Sequence, residues 1–284
     1  MHEASIAPAS ESDIVTIARR RWSDETSLRL YRRLADASSN GAWAARDDGT
    51  PIALGFANAV DEELYVSELY VEPSFRRNGI GTALFERITE ASEVSRAALV
   101  DAMDCAALAF ATRHGIALQV PVVRIAGAIP REEDLARMAA GHYRFGAVPL
   151  DPRRFGAALD ALDREVRGCA RPGNHDAFAQ AATGTAFTLD GECVGYSYVW
   201  PDGKIGPHLC ASNAYGGAFF AYALASLVRS YGASWCTALV PGNNVRVLKA
   251  ASKIGLSIDR AFAFASDTPM ADPTRYIGFH QLAF

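Results

Sequence analysis

The hydrophobic and polar positions of the chain repeat with two periods, one typical of strands and one typical of helices. The clearest strand covers residues 64–71, where aromatic and β-branched residues surround one carboxylate, Glu68. A helical pattern follows at residues 82–93, with Leu84 and Ile88 on one face. Further strands of the first half are predicted at residues 6–10, 42–46, 52–59, 97–100 and 116–129, and further helices at residues 10–22, 26–37 and 103–114.

Local signals support these elements. Ser10 and Asp13 resemble a capping box at a helix start, and Asp47-Asp48-Gly49 is a hairpin turn signal. Because strands alternate with helices, we expect an α/β fold with a mixed sheet. In the second half, strands are predicted at residues 148–150, 187–190, 193–199, 206–211, 235–240, up to 264 and at 276–284, and helices at residues 130–144, 152–166, 217–231 and 244–254.

The second half of the chain looks like the first half displaced by 140 positions. Gly55 falls on Gly195, and the run Ala-Leu-Val at residues 98–100 recurs at residues 238–240. The predicted elements follow the same order in both halves, which indicates a tandem duplication. We expect a first domain at residues 1–129, a linker helix at residues 130–144 and a second domain at residues 145–284.

Composition narrows the classes of protein to which the chain can belong. Its 284 residues carry 32 acidic and 28 basic side chains, and the net charge of −4 argues against sequence-independent binding to nucleic acid. The longest apolar stretch, at residues 218–228, is shorter than the ~20 residues that span a bilayer. We therefore expect neither a nucleic-acid partner nor a membrane partner.

The N-terminal sequence and the cysteines argue against further classes of protein. No secretory signal is recognisable at the N-terminus, so a cytoplasmic location is expected. The five cysteines contain no Cys-x-x-Cys pair, and no group of His, Cys and carboxylate residues has metal-ligand spacing. Neither a disulfide scaffold nor a metal site is predicted, and the oligomeric state stays open between monomer and homodimer.

A glycine-rich loop, residues 76–81, joins the clearest strand to the helix after it. Glycines let a ligand approach the backbone closely, and consecutive N–H groups at a helix start bind anions. Arg76 and Arg77 add charge-assisted hydrogen bonds to phosphate. Neither a Gly-Lys-Ser/Thr sequence nor a third glycine of a dinucleotide fingerprint is present. The loop predicts a pyrophosphate ligand, with an ordinary strand–turn–helix corner as the alternative.

Residues 69–84, Leu-Tyr-Val-Glu-Pro-Ser-Phe-Arg-Arg-Asn-Gly-Ile-Gly-Thr-Ala-Leu, resemble the acetyl-CoA-binding motif of the GNAT (Gcn5-related) N-acetyltransferases. The order of elements across residues 5–129 is similar to that family, and the whole chain is similar to tandem-GNAT acetyltransferases. The resemblance implies acetyl-CoA as co-substrate, with the backbone of Leu69, Tyr70 and Val71 along the pantetheine arm. It implies that the pyrophosphate is held by Arg76, Arg77, Asn78, Gly79, Ile80, Gly81 and Thr82.

The second copy lacks these features at the corresponding positions. Gly216 and Gly217 stand in place of the two arginines, and Phe219 stands in place of Gly79. The charge is lost, and a bulky ring is expected where the phosphates would lie. We therefore expect a degenerate copy that does not bind CoA, although a one-residue gap in the alignment would bring the two glycines nearer the loop. This copy would shape the acceptor pocket or serve as a scaffold.

Glu68 is the candidate general base, because apolar neighbours raise the pKa of a carboxyl group and the resemblance places it beside the thioester. The alternative is a structural carboxylate. The backbone N–H of Tyr70 or Val71 would polarise the thioester carbonyl. Ala111 occupies the position where the family often has an acid tyrosine. Tyr70, a residue of the other domain, or departure of the thiolate without an acid therefore remain open.

Two further features are candidates with weaker signals. His208 falls on Glu68 in the repeat, and we expect a packed core histidine there rather than a catalytic one. Residues 163–175 are dense in charge. We interpret them as a solvated helix end, with contacts to the acceptor as the alternative.

The sequence thus predicts an acetyl-CoA-dependent N-acetyltransferase that transfers an acetyl group directly to an amine within a ternary complex. The expected acceptor is a small molecule, because a cleft between two domains suits a small ligand, and a protein N-terminus or lysine is the competing acceptor. The alternatives of other classes are a non-catalytic acyl-CoA-binding or sensing module, motivated by the missing tyrosine, and a structural dimer partner.

Overall fold

A computed structural model describes residues 4–90, 93–139 and 145–284. Its chain divides into two compact units, Met1–Ala98 and Leu99–Phe284. Both units combine strands with helices, so the predicted α/β class is confirmed. Within the described ranges, no helix has the length and apolar character needed to cross a membrane.

The first unit is a mostly antiparallel sheet with three helices. Its strand order is the order of the sequence, and only the last pair of strands is parallel. The last strand, β5, continues past Ala98. The elements in chain order are β1 (Ser5–Pro8), α1 (Glu11–Arg21), α2 (Glu25–Asp36), β2 (Trp43–Asp47), β3 (Thr50–Val60), β4 (Glu63–Val71), a 3-10 turn (Pro73–Phe75), α3 (Ile80–Ile88) and β5 (Ser95–Asp101).

Local sequence explains where the helices of this unit begin and end. The capping box is confirmed, since Ser10 Oγ accepts from the Asp13 amide and an Asp13 carboxylate oxygen accepts from the Ser10 amide at 2.7 Å. The helix predicted at residues 82–93 spans Ile80–Ile88, with Thr89 as its C-cap, and residues 91 and 92 lie outside the described residues. Asn40 Nδ2 donates to the carbonyl of Ile88 at 3.0 Å, which satisfies a backbone group at the helix end.

A β-bulge bends β4 just before its carboxylate. Phe56 of β3 lies opposite Glu68 and Ala57 lies opposite Val66, so Ser67 is the extra residue. Ser67 Oγ donates to Asn58 at 2.8 Å, which fixes the bulge from the neighbouring strand. The bulge therefore sets the direction of the strand and of its side chains at Glu68.

The second unit holds the remaining elements around one sheet in the order β12-β6-β11-β10-β9-β8-β7, with β13 beside β10. In chain order they are α4 (Cys105–Arg113), β6 (Ala117–Ala128), α5 (Glu132–Ala139), β7 (Gly146–Pro149), α6 (Pro152–Arg167), α7 (Pro172–Ala181), β8 (Thr183–Leu189), β9 (Glu192–Val199), β10 (Lys204–Cys210), a 3-10 turn (Asn213–Tyr215), α8 (Gly216–Tyr231), β11 (Trp235–Pro241), α9 (Val245–Lys253), β12 (Ser257–Ser266), a 3-10 turn (Pro273–Arg275), β13 (Tyr276–Ile277) and a 3-10 turn (Gln281–Ala283).

The elements of the two halves match at the predicted displacement. β5 begins at Ser95 and β11 at Trp235, and α4 begins at Cys105 and α9 at Val245, each 140 positions apart. The 3-10 turns at Pro73 and Asn213 have the same spacing. The two halves therefore share one order of elements, which is the tandem arrangement that the sequence predicted.

The compact units and the predicted copies divide the chain at different places. β6 lies between β11 and β12, with Ala128 opposite Trp235 and Ala117 opposite Ser266. Residues 99–129, which the sequence assigns to the first copy, are therefore part of the second compact unit. The copy boundaries at residues 129 and 145 remain a prediction, and of the predicted linker helix at residues 130–144 the structure describes Glu132–Ala139, with residues 140–144 outside the described ranges.

The second half departs from the prediction in two places, one helix that was not predicted and one strand that is wrong. Pro172–Ala181 is a helix that the sequence reading missed, because its charged start was interpreted as a loop. The long strand predicted at residues 276–284 is only Tyr276–Ile277, followed by a 3-10 turn in which His280 Nδ1 accepts from the Leu282 amide at 3.2 Å. The side chain of His280 thus caps a turn where alternation had suggested a strand.

Candidate active site

The corner between β4 and α3 presents backbone N–H groups to solvent. Gly79 has a φ of 81°, and nothing lies within 4 Å of where its Cβ would be. The helix starts at Ile80, and no described side chain caps it. Arg77 also has a positive φ, 67°, and Arg76 Nε donates to the Val71 carbonyl at 3.0 Å. Amides at a helix start, together with the positive end of the helix dipole, attract anions, and binding of a pyrophosphate at this corner remains a prediction.

One edge of β4 is open next to this corner. β4 pairs with β3 along its full length, but among the described residues its pairing with β5 ends at Tyr65. The backbone of residues 66–71 therefore has a strand partner on one side only. The residues predicted to lie along the pantetheine arm, Leu69, Tyr70 and Val71, are in this stretch. An extended ligand could hydrogen-bond there as an added strand does.

The two faces of β4 have different tasks. Leu69 and Val71 pack with Leu84 of α3 in an apolar cluster, which holds the strand against the helix of the corner. Glu68 and Tyr70 lie on the opposite face, where the last turn of α1 contributes arginines. Period-two alternation thus separates the structural side chains from the polar ones.

Glu68 is a buried carboxylate with one arginine partner. Its side chain is 5% exposed, and Arg21 Nε donates to its Oε2 at 3.2 Å. Burial raises the pKa of Glu68, and the positive charge of Arg21 offsets only part of that effect. Tyr31 of α2, fully buried, interacts electrostatically with the same carboxylate. A carboxylate with a raised pKa is suited to accept a proton near neutral pH.

Tyr70 is tied to a second acidic residue. Its hydroxyl donates to Glu72 Oε2 at 2.9 Å, and Arg20 Nη1 binds the same oxygen at 2.9 Å. The guanidinium of Arg21 lies 5.3 Å from the centre of the Tyr70 ring. Burial raises the pKa of Tyr70, and its hydrogen bond to Glu72 adds to the shift. The hydroxyl therefore keeps its proton at neutral pH.

The corresponding corner of the second copy has no loop. α8 begins at Gly216, so the positions equivalent to the loop form the first turn of a helix. Phe219 is fully buried, and its ring stacks on Phe187 with centroids 3.9 Å apart. The expectation that Phe219 would project into the phosphate position is wrong, because the ring points into an aromatic cluster instead. Gly216 and Gly217 open the helix, and no gap is needed to align them.

Residues 11–116 match the family model described as "Acetyltransferase (GNAT) family". This segment contains β4, the open corner and α3 in the order that the motif requires. Residues 11–116 are a GNAT domain. A search of curated proteins finds no match to the chain.

Solved structures extend the likeness to the whole chain. A candidate acetyltransferase from Pyrococcus horikoshii has a TM-score of 0.76 at 17% identity, covering 100% of this chain and 96% of that one. The tandem GNAT protein from the clavulanic acid biosynthesis pathway has a TM-score of 0.64 at 17% identity, covering 93% and 98%. A GCN5-related N-acetyltransferase from Sphaerobacter thermophilus gives 0.65 at 16%, covering 95% and 97%. At these identities the likeness shows the fold.

The GNAT domain places the sequence-predicted residues in two groups. The loop residues, from Arg76 to Thr82, surround the start of α3, and Glu68 and Tyr70 lie on β4. Ala111 of α4, at the position of the family's tyrosine, is buried and offers no acid. The individual roles of all these residues remain predictions. Membership of the family supports acyl transfer in general.

Sequence reasoning missed the arginines that face β4 in the GNAT domain. Arg20 and Arg21 bind Glu72 and Glu68, and neither was singled out. A signal was present, because α1 ends in three consecutive arginines. Such a run in a last helical turn is ordinarily explained by the helix dipole. The neighbouring sequence does not indicate that two of the three arginines would turn toward a strand about 50 positions away.

His208 is a packed core residue, as the sequence predicted. It is 1% exposed, and neither ring nitrogen has a hydrogen-bond partner among the described residues. The rings of Phe187 and Phe219 lie 6.5 and 6.3 Å from its centre. Burial lowers the pKa of His208 to about 3, so the imidazole is neutral at physiological pH.

The interpretation of residues 163–175 as a solvated helix end is wrong, because its charged groups form a buried network. Arg171 Nε donates to Asp163 at 3.1 Å, and His175 Nε2 lies 2.9 Å from the same carboxylate. Tyr196 also donates to Asp163. Burial acts to raise the pKa of Asp163, but the charge of Arg171 and the bond to His175 outweigh it and hold the pKa well below its usual range. Contact with an acceptor remains a prediction.

No group of three or more His, Cys, Asp or Glu side chains in the described ranges is arranged to hold a metal ion.

Proposed function

We propose that the protein is an acetyl-CoA-dependent N-acetyltransferase whose GNAT domain transfers an acetyl group directly to a small-molecule amine. The observation that carries the proposal is the position of a buried carboxylate, Glu68, on the strand whose open edge runs to an uncapped, glycine-led helix start. The corner suits a pyrophosphate, and the open edge suits an extended arm. Together they would place a thioester near Glu68.

In this proposal each group has one task. Glu68, unprotonated, accepts a proton from the acceptor's ammonium group, directly or through water, so that a neutral amine attacks the thioester carbon. The backbone N–H of Tyr70 or Val71 donates to the thioester oxygen as negative charge develops there. The carbon–sulfur bond then breaks, the thiolate leaves with the electron pair, and the former amine nitrogen releases its extra proton to solvent to give the neutral amide. Tyr70, whose protonated hydroxyl donates to Glu72, lies on the same face of β4 as Glu68 and is the candidate acid that protonates the thiolate.

Glu68→Gln tests the proposal, because an amide retains the size of the side chain and cannot accept the proton. Thiol release over a panel of amines should fall by about 10²–10⁴-fold, the usual contribution of a general base, while acetyl-CoA affinity changes little. Glu63→Gln is the matched control, since it makes the same change at the start of the same strand and should leave turnover within about twofold. Unchanged activity in Glu68→Gln would eliminate this base.

A non-catalytic acyl-CoA sensor is the second candidate, favoured by Ala111 where the family has an acid. Calorimetry with acetyl-CoA should give one site per chain under either function. Thiol release separates them, because a sensor binds acetyl-CoA without turnover on any amine. Peptides and proteins with free N-termini belong in the same panel, since preference for them would exchange the small-molecule acceptor for a protein one.

A further inference from the structure

In the second copy, the edge of β10 corresponds to the open edge of β4 in the GNAT domain. A segment from elsewhere in the chain pairs with this edge of β10. Within the part of the chain that the structure describes, β10 pairs with β11 only at Lys204 and Ile205, just as β4 pairs with β5 only over its first three residues. Beyond that point β10 takes a different neighbour. His208 pairs with Ile277 and Leu209 with Tyr276, in the antiparallel sense. This neighbour is β13, from the C-terminal segment of the chain.

The same segment also bonds to the strand on its other side. The Gly278 amide donates to the Leu239 carbonyl at 2.8 Å, and the Leu239 amide donates back at 2.9 Å. Residues 276–278 are thus inserted between β10 and β11, with backbone pairing to both. Where the first copy leaves main-chain groups open, the second copy satisfies them with its own chain.

Side chains hold the segment in place. Asn244 Nδ2 donates to the Tyr276 carbonyl at 3.1 Å, and Arg171 of the buried network donates to the Tyr276 hydroxyl at 3.2 Å. At the end of the chain, Arg167 donates to the Phe284 carbonyl at 3.1 Å. Ile277 and Phe284 are fully buried. The segment therefore combines main-chain pairing with apolar burial, as bound peptides do.

We propose that the edge of β10 is a peptide-binding site whose ligand is the chain's own C-terminal segment, residues 276–284, lying where the first copy would hold the arm of acetyl-CoA. The helical turn at Gly216 and this segment are then two separate obstacles to a second coenzyme. The inference rests on the proposed function only for what the open edge of β4 binds. The pairing of β13 can be tested without it.

Amide hydrogen exchange on the full chain, with and without acetyl-CoA, tests the proposal. In the free protein the amides of Leu239 and Gly278 should exchange at least 100-fold more slowly than those of exposed loops. Adding acetyl-CoA should slow exchange in residues 66–71 and leave residues 205–210 unchanged. Loop-like exchange at Leu239 and Gly278, or slowing in residues 205–210, would overturn the inference. Unaltered exchange in residues 66–71 would count against the proposed function alone.

A substitution within the segment makes the amide hydrogen exchange experiment more specific. A Cβ on Gly278 would lie 2.3 Å from the Phe284 ring, so Gly278→Val must displace that ring, and we expect the pairing of the segment to weaken with it. Exchange at Leu239 should become at least tenfold faster. Gly156→Val is the control, because nothing lies within 4 Å of that position, and exchange at Leu239 should stay as in the unmodified protein. An unchanged rate in folded Gly278→Val would contradict the proposal, and the free-protein measurement decides it if the variant does not fold.

Discussion

The corners β4–α3 and β10–α8 begin from the same order of elements and end in opposite states. In the first, a left-handed glycine starts the helix and leaves its amides uncapped. In the second, the helix begins four positions earlier in the repeat, and an aromatic ring is packed beneath it. In the first corner the backbone N–H groups stay available to a ligand, whereas in the second corner the equivalent positions contribute to the stability of the fold. The comparison indicates that one copy of a duplicated fold can satisfy internally the backbone groups that the other copy leaves open.

The glycines beneath the two corners illustrate how the copies share a framework. A Cβ on Gly55 would meet Leu69 at 3.3 Å, and a Cβ on Gly195 would meet the Phe219 ring at 2.6 Å. Gly195 needs a residue without a side chain, because the Leu209 carbonyl oxygen also lies 2.6 Å from that Cβ. At Gly55 the contact is tight but involves only the end of the Leu69 side chain. The glycine shared by the two copies therefore reflects close packing on the strand.

The largest expected effect comes from the packed corner. Phe219→Ala removes a fully buried ring that stacks on Phe187 and contacts Phe145, and should lower the free energy of unfolding by about 3–5 kcal/mol. Chemical denaturation measures it, and calorimetry on the folded variant should still give one acetyl-CoA site. A loss under about 1 kcal/mol, or a second site, would contradict the view that this corner now serves stability alone.

Local and long-range features of the molecule differ in how well the sequence predicts them. The capping box at Ser10 and the glycine loop are predictable, because their partners lie within a few positions. The buried network was missed because Asp163 and Arg171 complete their bonds with Tyr196 and Tyr276, far along the chain. No local signal distinguishes charges that are solvated from charges that distant hydroxyls satisfy.

The insertion of β13 also depends on partners that are distant in the sequence, and the sequence predicts it even less well than the buried network. Two paired residues followed by a turn give almost no periodic signal, so the alternation of residues 276–284 suggested a longer strand. The partners of Tyr276 and Gly278 are Leu209 and Leu239. Such pairing depends on an edge that is open in the folded unit, and a pattern of hydrophobic residues does not encode which edges are open.

The second expected effect concerns the open corner. Gly79→Phe introduces in the first copy the residue that the second copy carries, at a position with φ of 81° and open space around it. Acetyl-CoA affinity should fall at least 100-fold, about 2.7 kcal/mol, because the ring would cover the amides of the helix start. Calorimetry measures the loss.

Gly49→Phe is the matched control for this change. Gly49 lies in the β2–β3 turn with φ of 78° and equally open surroundings, so both variants carry the same backbone strain of about 1–3 kcal/mol. Only Gly79→Phe should lose acetyl-CoA. Equal loss of acetyl-CoA affinity in both variants would show that backbone strain, and not a blocked helix start, explains the effect.

The smallest expected effect is on the pH dependence of stability. It distinguishes the two equivalent strand positions, Glu68 and His208. Glu68 is buried beside an arginine, whereas His208 is buried with no described partner, and burial lowers its pKa to about 3 from about 6.5. Between these values the unfolded chain binds a proton that the folded protein does not, so the free energy of unfolding falls as the pH falls. One proton corresponds to about 1.4 kcal/mol per pH unit.

His208→Leu removes this proton uptake and the two unpartnered nitrogens, so its stability should fall less steeply than that of the unmodified protein between pH 6 and pH 4.5, by up to about 1.4 kcal/mol per pH unit. Denaturation at several pH values measures the two slopes. Between pH 8 and pH 9 they should coincide, because His208 is neutral there in both folded and unfolded states. Parallel slopes below pH 6 would mean that His208 gains a proton while folded, and would contradict the view that it is a neutral core residue.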